Sequence, residues 1–525
     1  MLGTTRSFGG HATCDDRNML TKKVTLSVVI SLCSLTAATP ALATRNVLLI
    51  VVDDLGAQEL RSYASDLAAT ANSANGSTGI VDTNANGLPD GLEDLNSDGQ
   101  PDGAIATPGL DSLAAAGVRF TQVWSNPSCS PTRAGMYTGR YAIHHGIGMP
   151  LGGGSMIWQL PTDISTLAEL VSNDSYAKGF FGKWHLGEET SALPTARGWN
   201  YFSGSTGGEV TSYNLWDKVV VDESGVRTDS VSSDYVTTGV VADTLDWIEL
   251  QTKPWWATVA LNAAHTPYTE PPSYCLSGSI TGSGTSALFH KTIECADYHI
   301  TSLLSGIDPT VLSNTTIVFV GDNGTEGSVS QVSSSAQSKA SVYQGGVHVP
   351  LIVADGAAFV GMSGTGVGAV TSVGRTVSNI TNTVDIFSSL AEIMGVTATG
   401  TDSVSFIDYL DSATAPALRT YNYSDTFSYS SSAVTALETS LTDPSTLTST
   451  NVATLTRTGL KGAIRGTQYK LVYGNNTYKL FDLNADPFEQ VNRWCTSNVY
   501  RTQGQTLITA LRAIDTSYPT KSCAR

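Results

Sequence analysis

The stretch NVLLIVVDD, residues 46–54, sets six uninterrupted apolar side chains ahead of two carboxylates. Alternation would mark a strand with one face in water. An unbroken Val/Ile/Leu run marks a strand covered on both faces, as in a parallel sheet. Three further stretches are built the same way. AKGFFGKWH (177–185) ends at Lys183 and His185, WWATVALNAAH (255–265) at His265, and TTIVFVGDN (315–323) at Asp322 and Asn323. Stretches of helical character, TPGLDSLAAAGVRF (107–120) and DISTLAELVSND (163–174), lie between them. Strands alternating with helices specify an α/β fold, a large, mostly parallel or mixed sheet sandwiched by helices. In such sheets ligands bind beyond the carboxyl ends of the strands. The polar endings of the four runs collect there.

The flanks differ in texture. From Met19 the chain reads MLTKKVTLSVVISLCSLTAATPALA, with Lys22 and Lys23 before an apolar Val24–Leu35 run and Ala41-Leu42-Ala43 after it. That is the pattern of a cleaved leader over residues 1–43, with Met19 as the true start, and it points to a periplasmic or secreted protein. The run is too short for a membrane span. Residues 44–400 form the expected catalytic domain, and 401–525 a smaller C-terminal α+β subdomain with an antiparallel sheet. Within it a hairpin is expected at Gly474-Asn475-Asn476 and a closing helix over about 503–515.

The 525 residues carry a net charge of −17, which excludes nucleic acid as the main partner. A local group of cations still leaves room for an anionic small substrate. Seven cysteines are present, and the leader accounts for Cys14 and Cys33. Cys275 with Cys295 and Cys495 with Cys523 are spaced for two local disulfides in an oxidising compartment. Cys129 is left over, as a reactive or modified thiol or as an inert buried one.

One repeat stands apart. DTNANGLPDGLE (82–93) and DLNSDGQPDGAI (94–105) share D-x-N-x-x-G-x-P-D-G in phase. The pattern resembles calcium loops of the thrombospondin type 3 or dockerin kind, implying a structural Ca²⁺ at residues 82–102. The alternative is a solvated loop rich in Asx turns.

Around Cys129 the chain reads SNPSCSPTRAGMYTGRY (125–141). Pro131 suits the first turn of a helix and Gly139 its end. Cys129 and Ser130 then sit at a helix N-terminus, whose free amides and dipole favour an anion. Arg133, four residues on, can turn back to the same point. Cys129-x-Pro131-x-Arg133 followed by AGMYTGR resembles the signature of the type I sulfatases, in the alkaline-phosphatase superfamily. Further motifs follow in that family's order: VVDDLG with Asp53 and Asp54, GFFGKWHLG with Lys183 and His185, AAHTPY with His265, GDNG with Asp322 and Asn323, and KASVYQGG with Lys339.

The resemblance implies an alkaline-phosphatase-like fold and a sulfuric ester hydrolase. It implies that a formylglycine-generating enzyme oxidises Cys129 to Cα-formylglycine, whose hydrated aldehyde is the nucleophile. Asp53, Asp54, Asp322 and Asn323, with the modified Cys129, become the metal ligands. An all-oxygen set of this kind favours Ca²⁺, with Mg²⁺ the alternative. Arg133, Lys183 and Lys339 would offset sulfate charge. His265, with Lys339, would protonate the leaving oxygen, and His185 would take the proton that releases sulfate. The substrate would be a small-molecule or carbohydrate sulfate ester, chosen by loops at 203–235, 268–290 and 325–338.

Two positions depart from the family pattern: Gln344 stands for a glutamate and His348 for an arginine. A phosphate or phosphonate ester hydrolase of the same superfamily is the alternative activity. A catalytically silent binder of sulfated glycans, with Cys129 a plain thiol, is the alternative of another class.

Overall fold

The computed structural model describes residues 44–63, 105–152, 159–331, 334–364, 368–398, 402–441 and 443–523. The leader and the repeat up to residue 104 lie outside the described residues. Sixteen strands are present among those described. Ten form one sheet: β1 (Asn46–Val52), β2 (Gly117–Phe120), β4 (Ala177–Gly182), β5 (Tyr201–Gly204), β6 (Trp216–Val221), β7 (Arg227–Ser232), β8 (Trp255–Leu261), β9 (Thr315–Gly321), β10 (Leu351–Asp355) and β11 (Arg375–Val377). A two-stranded pair joins β3 (Val123–Trp124) to β12 (Thr381–Asn382). The last four, β13 (Asn422–Tyr429), β14 (Arg457–Arg465), β15 (Tyr469–Gly474) and β16 (Thr477–Asp482), make a separate antiparallel sheet.

The four apolar runs are β1, β4, β8 and β9, and they are neighbours. The large sheet runs β11-β2-β10-β9-β1-β8-β4-β5-β6-β7, parallel from β9 through β5. Register brings their carboxyl ends level, because Val52 lies opposite both Leu261 and Gly321, and Gly182 opposite Ala260. The residues that follow therefore emerge in one layer.

The helices used below are α1 (Pro108–Ala115), α2 (Cys129–Thr138), α3 (Val236–Glu249), α4 (Thr285–Gly306), α5 (Asp385–Ile393) and α6 (Asn498–Ile514). Residues of β1 alternate between two cores: Val47, Leu49 and Val51 pack on the side of α2 and α5, and Leu48, Ile50 and Val52 on the side of α1, α3 and α4. All seven β1 residues are buried. That explains the unbroken apolar run, since each fully buried Val, Leu or Ile contributes about 1.5–3 kcal/mol. In the C-terminal sheet, Ile464, Leu471 and Leu480 pack on Leu507, Ile508 and Leu511 of α6. The β15–β16 hairpin turns through Asn475 (φ 49°) and Asn476 (φ 56°), the left-handed pair its type requires. Both expected disulfides, Cys275–Cys295 and Cys495–Cys523, are formed, and Cys129 is a buried free thiol.

Two helices are shorter than the sequence pattern suggests. The helix from Pro108 stops at Ala115, and Gly117–Phe120 crosses into the sheet as β2, paired with β10. Gly117 allows this, because a Cβ there would strike the Val353–Ala354 backbone. The segment at 163–174 keeps one turn, Leu167–Leu170, opened by a Thr166–Glu169 capping box. It is closed by Lys178, whose Nζ donates to Ala168 O (2.6 Å) and Val171 O (2.5 Å).

A buried ion pair ties β1 to the end of β10. Arg45 Nη2 donates to Asp355 Oδ1 at 2.6 Å, with both side chains 1% exposed. Asp355 also accepts from Ala357 N and Val370 N. Removing one partner strands a buried charge, whereas replacing both is tolerated. Asp355→Ala is therefore expected to cost about 3–5 kcal/mol in urea unfolding, and the double variant Arg45→Met/Asp355→Leu distinctly less.

Candidate active site

The site begins with α2. Ser128 is its N-cap residue, Gly139 (φ 67°) ends it, and all ten residues are buried. Cys129 thus opens a helix, 2% exposed, as its sequence implies. Ser130 Oγ donates to His185 O (2.9 Å) and accepts from Leu151 N (3.0 Å), fastening the helix start to the end of β4 and to the loop opposite.

Asp53, Asp54, Asp322 and Asn323 follow adjacent strands β1 and β9 and are at most 1% exposed. Burying several carboxylates demands nearby cations. Arg133, fully buried, places Nε and Nη2 on Asp322 Oδ2 at 3.0 and 2.8 Å, with Nη1 on Lys183 O at 2.7 Å. Its Nη2 lies 3.7 Å from Asp53 Oδ2. Lys183 Nζ pairs with Asp53, and Lys339 Nζ lies 2.6 Å from Asp54 Oδ1. Asn323 Nδ2 donates to Asp54 Oδ1 at 2.8 Å. His265 Nε2 is 3.9 Å from Asp54 Oδ2. Arg133, Lys183, His265 and Lys339 thus converge on the Asp53/Asp54/Asp322/Asn323 group. Arg133 differs from expectation in direction: its donors are turned to Asp322 and a backbone carbonyl.

The electrostatics follow from this packing. Burial pushes the Asp53 carboxyl up, but Lys183, then His265, Arg133 and Lys339, outweigh it and hold Asp53 well below the usual carboxylate range. Burial and the Asp53 charge push Asp322 upward against Arg133. Burial would lower Lys339, yet Asp54 and the charges behind it raise it. His185 is pushed down to about 3 by burial and by Lys183, so its imidazole is neutral. Its Nε2 lies 3.0 Å from Leu151 O, and its buried Nδ1 has no partner among the described residues.

Two buried oxygens, Asp53 Oδ1 and Asn323 Oδ1, are likewise without a hydrogen-bond partner among the described residues. Ligand atoms of Asp53, Asp54 and His265 lie within 4.8 Å of one another. Hard oxygens left free beside a carboxylate cluster fit a hard divalent cation. A second cluster, Cys275, Cys295 and His299, is a disulfide beside an imidazole.

The loops are fixed by backbone contacts. Lys339 N donates to Thr325 O (3.0 Å) and Ala340 N to Pro127 O (2.7 Å), so the loop bearing Lys339 is bound to both the Asp322 turn and the lead-in to Cys129. Gly324 packs so tightly on Gly345 and Gly346 that a Cβ would collide with their backbone. Gln344 Oε1 accepts from Trp124 Nε1 (2.8 Å) and His348 Nε2 contacts Thr121 O (2.8 Å).

Cys129, His185, His265 and Lys339 line a cavity of about 540 Å³. The loop at 203–235 contributes to its wall, through 205–211 and Asp217. The segment expected at 268–290 instead lines, with α1 and α4, a separate cavity of about 780 Å³. Leu151, Gly152 and Glu188 also line the cavity over Cys129, and residue type alone gave no signal for them.

The sulfatase family pattern matches residues 45–396. This chain belongs to the sulfatase family. Arylsulfatase J of Mus musculus is 28% identical over 235 residues, covering 42% of this chain and 39% of that protein. The match thus spans well under half of that curated relative. Among solved structures, Ps i-CgsB in complex with k-i-k-neocarrahexaose superposes with a TM-score of 0.64 at 19% identity, covering 91% of this chain and 94% of the other. The PsFucS1 sulfatase from Pseudoalteromonas sp. gives 0.64 at 18% identity, covering 92% of each. At such identities the likeness is one of fold, and the large mixed sheet with its separate four-stranded sheet is the sulfatase architecture.

The neutral, buried His348 has a consequence for stability. Burial, with Thr121 O opposing and Arg465 and Lys470 assisting, lowers it to about 4, against 6.5 for an exposed imidazole. Below about 6.5 the unfolded chain binds a proton that the folded one refuses. The contribution of neutral His348 is thus whole above pH 6.5 and lost as pH falls toward 4, at up to about 1.4 kcal/mol per pH unit. His348→Gln keeps a donor for Thr121 O and removes the titration. Between pH 7.5 and 5.0, urea unfolding of the wild type should lose about 2 kcal/mol more than that of the variant.

Proposed function

We propose that this chain is an exported sulfatase that hydrolyses a sulfate ester to an alcohol and inorganic sulfate. The observation that carries the reading is the convergence of Cys129, His185, His265 and Lys339 on one cavity, directly beside the Asp53/Asp54/Asp322/Asn323 group. Asp53, Asp54, Asp322 and Asn323, with the modified Cys129, would hold a divalent cation, Ca²⁺ or Mg²⁺. When bound it supplies Lewis-acid polarisation and charge for a sulfate oxygen. A maturation enzyme converts Cys129 to Cα-formylglycine, whose hydrate supplies the nucleophilic hydroxyl and, through its second hydroxyl, a route for sulfate to leave.

The remaining work belongs to side chains. Lys183 and Lys339 bring positive charge to the anionic substrate from two sides of the acidic group. Arg133 is a positioning residue: bound to Asp322 and to Lys183 O, it holds the β9 and β4 ends in register. His265, the more exposed histidine of the pair, donates a proton to the departing alcohol oxygen, and Lys339 orients that oxygen. His185, uncharged, accepts a proton at its free Nδ1. Proton donors and acceptors placed in this way contribute about 10²–10⁴-fold. Residues 44–400 carry the reaction, and 401–525 form a supporting subdomain. The leader directs the chain to the periplasm or the exterior.

Cys129→Ala should keep the wild-type unfolding midpoint and lose aryl sulfate turnover by roughly 10⁴-fold or more. Peptide mass analysis over residues 125–140 should find Cys129 lighter by the exchange of sulfur for oxygen and loss of hydrogen. A plain thiol in an inactive protein would support the silent binder. A kcat/KM for aryl phosphate more than about tenfold above that for the matched sulfate would place the chain with the phosphate hydrolases.

The metal reading makes a prediction independent of turnover. Ca²⁺ at about a hundred times its Kd should stabilise the wild type by about 2.7 kcal/mol. Asp53→Asn and Asp322→Asn should abolish that rise in Tm in differential scanning calorimetry.

A further inference from the structure

The rim of the cavity over Cys129 carries three carboxylates that none of the chemistry above uses. Glu188, Glu209 and Asp217 line the same cavity as Cys129 and His185. All three are exposed, while Cys129 and His185 are 2% and 6% exposed, so the acids stand at the mouth and the reacting groups on the floor. Glu188 and the Gly207–Glu209 loop face each other, since a Cβ on Gly207 would lie 3.5 Å from Glu188 Oε1. At Gly208 a Cβ would meet the His185 ring at 2.5 Å, so the acidic loop lies directly against the imidazole whose Nδ1 is free.

These charges are uncompensated. Among the described residues none of the three is in an ion pair, and Lys218, beside Asp217, is bound to Asp243 at 2.6 Å. The one lysine of the cavity wall, Lys339, is held by Asp54, and His185 is neutral. The internal segments outside the described residues contain no lysine or arginine in their sequence. Among the described residues the cations nearest Cys129 are those paired with the buried carboxylates, so a sulfate bound there would find them at the floor. Whatever extends past it toward solvent meets carboxylates.

Resting on the sulfatase reading, we propose that Glu188, Glu209 and Asp217 are specificity determinants that admit a singly sulfated, otherwise uncharged alcohol, a neutral sugar or a phenol, and reject one bearing a second anion. Carboxylates accept hydrogen bonds from hydroxyls or an amide and repel a further sulfate or carboxylate. A unit charge about 6 Å from each of three carboxylates, in a medium close to water, is disfavoured roughly threefold per carboxylate, a product of about thirtyfold that the residual screening of a dilute buffer lowers to about tenfold.

The test compares kcat/KM for 4-carbamoylphenyl sulfate and 4-carboxyphenyl sulfate, which differ by one charge at the far end of the leaving group. The expected result at low ionic strength is a preference of about tenfold for the amide. It should fall to about twofold or less at roughly 0.5 M salt in the same protein, and likewise in Glu188→Gln/Glu209→Gln/Asp217→Asn. Comparing ratios across variants cancels the intrinsic reactivity of the two phenols, and the salt series needs no variant to fold. A wild-type preference for the carboxylate, or a ratio unmoved by salt or by the triple substitution, overturns the rim assignment alone. Failure to turn over either ester, with Cys129 shown to be converted, overturns the sulfatase reading and this inference with it.

Discussion

Three carboxylates buried at the ends of two adjacent strands are the constraint from which the rest of the structure follows. Asp53, Asp54 and Asp322 are each at most 1% exposed, so each must be matched by a cation or a donor. The matches come from far along the chain. Arg133 belongs to α2, Lys183 to the end of β4, and Lys339 to the loop before β10. Each pairing therefore closes a long-range connection between separate elements. Withdrawing any one leaves a buried charge unpaired, a loss of about 3–5 kcal/mol. The site and the fold thus stabilise each other, and the level register of β9, β1, β8 and β4 makes the matching geometrically available.

The backbone is bent to meet this requirement. Asp54 (φ 56°), His185 (φ 59°) and Ala340 (φ 66°) are left-handed although none is glycine, and each lies beside or within the charged layer. Such conformations cost of order 1–3 kcal/mol apiece and persist only where surrounding contacts over-determine them. Those contacts are present: Asp54 N donates to Asp322 Oδ1, His185 N to Thr206 O, and Ala340 N to Pro127 O. The strain aims side chains into one small volume instead of letting them follow the strand direction.

Much of this could be read from residues, and the unreadable part has a physical explanation. The strands β1, β4, β8 and β9 declared themselves because burial on both faces leaves a local trace, an unbroken apolar run. Their polar ends were legible for the same reason. The unpaired state of Cys129 followed from counting cysteines. The order of strands left no local trace, because adjacency is set by pairing between segments hundreds of residues apart. Nor did the direction of Arg133, which depends on where Asp322 sits. Gly117–Phe120 resembled the tail of a helix until β10 offered it a partner. The segment at 268–290 was expected beside the active cavity, but its disulfide to α4 and its packing hold it against another one. The acids at the mouth carry no pattern at all, since Glu188, Glu209 and Asp217 gather only through the turn after β4, the loop after β5 and the start of β6.

The two departures from the family pattern become intelligible as one change. Gln344 opens and His348 caps the short helical turn whose glycines press on Gly324. His348 is buried and feels Arg465 and Lys470, both buried on the C-terminal sheet, so a permanent cation there would meet two like charges with little water to screen them. Glu489 is already committed, accepting from Gln344 N and pairing with Lys470 at 2.7 Å. A carboxylate at 344 would stand beside that committed acid, whose Oε2 already accepts from Gln344 N. Neutral residues at both positions avoid each penalty, and Gln344 gains a hydrogen bond from Trp124. The loop then contributes the ammonium of Lys339 to the buried carboxylate group. Because Glu489, which accepts from Gln344 N, pairs with Lys470 of β15, the four-stranded sheet helps determine where that ammonium sits.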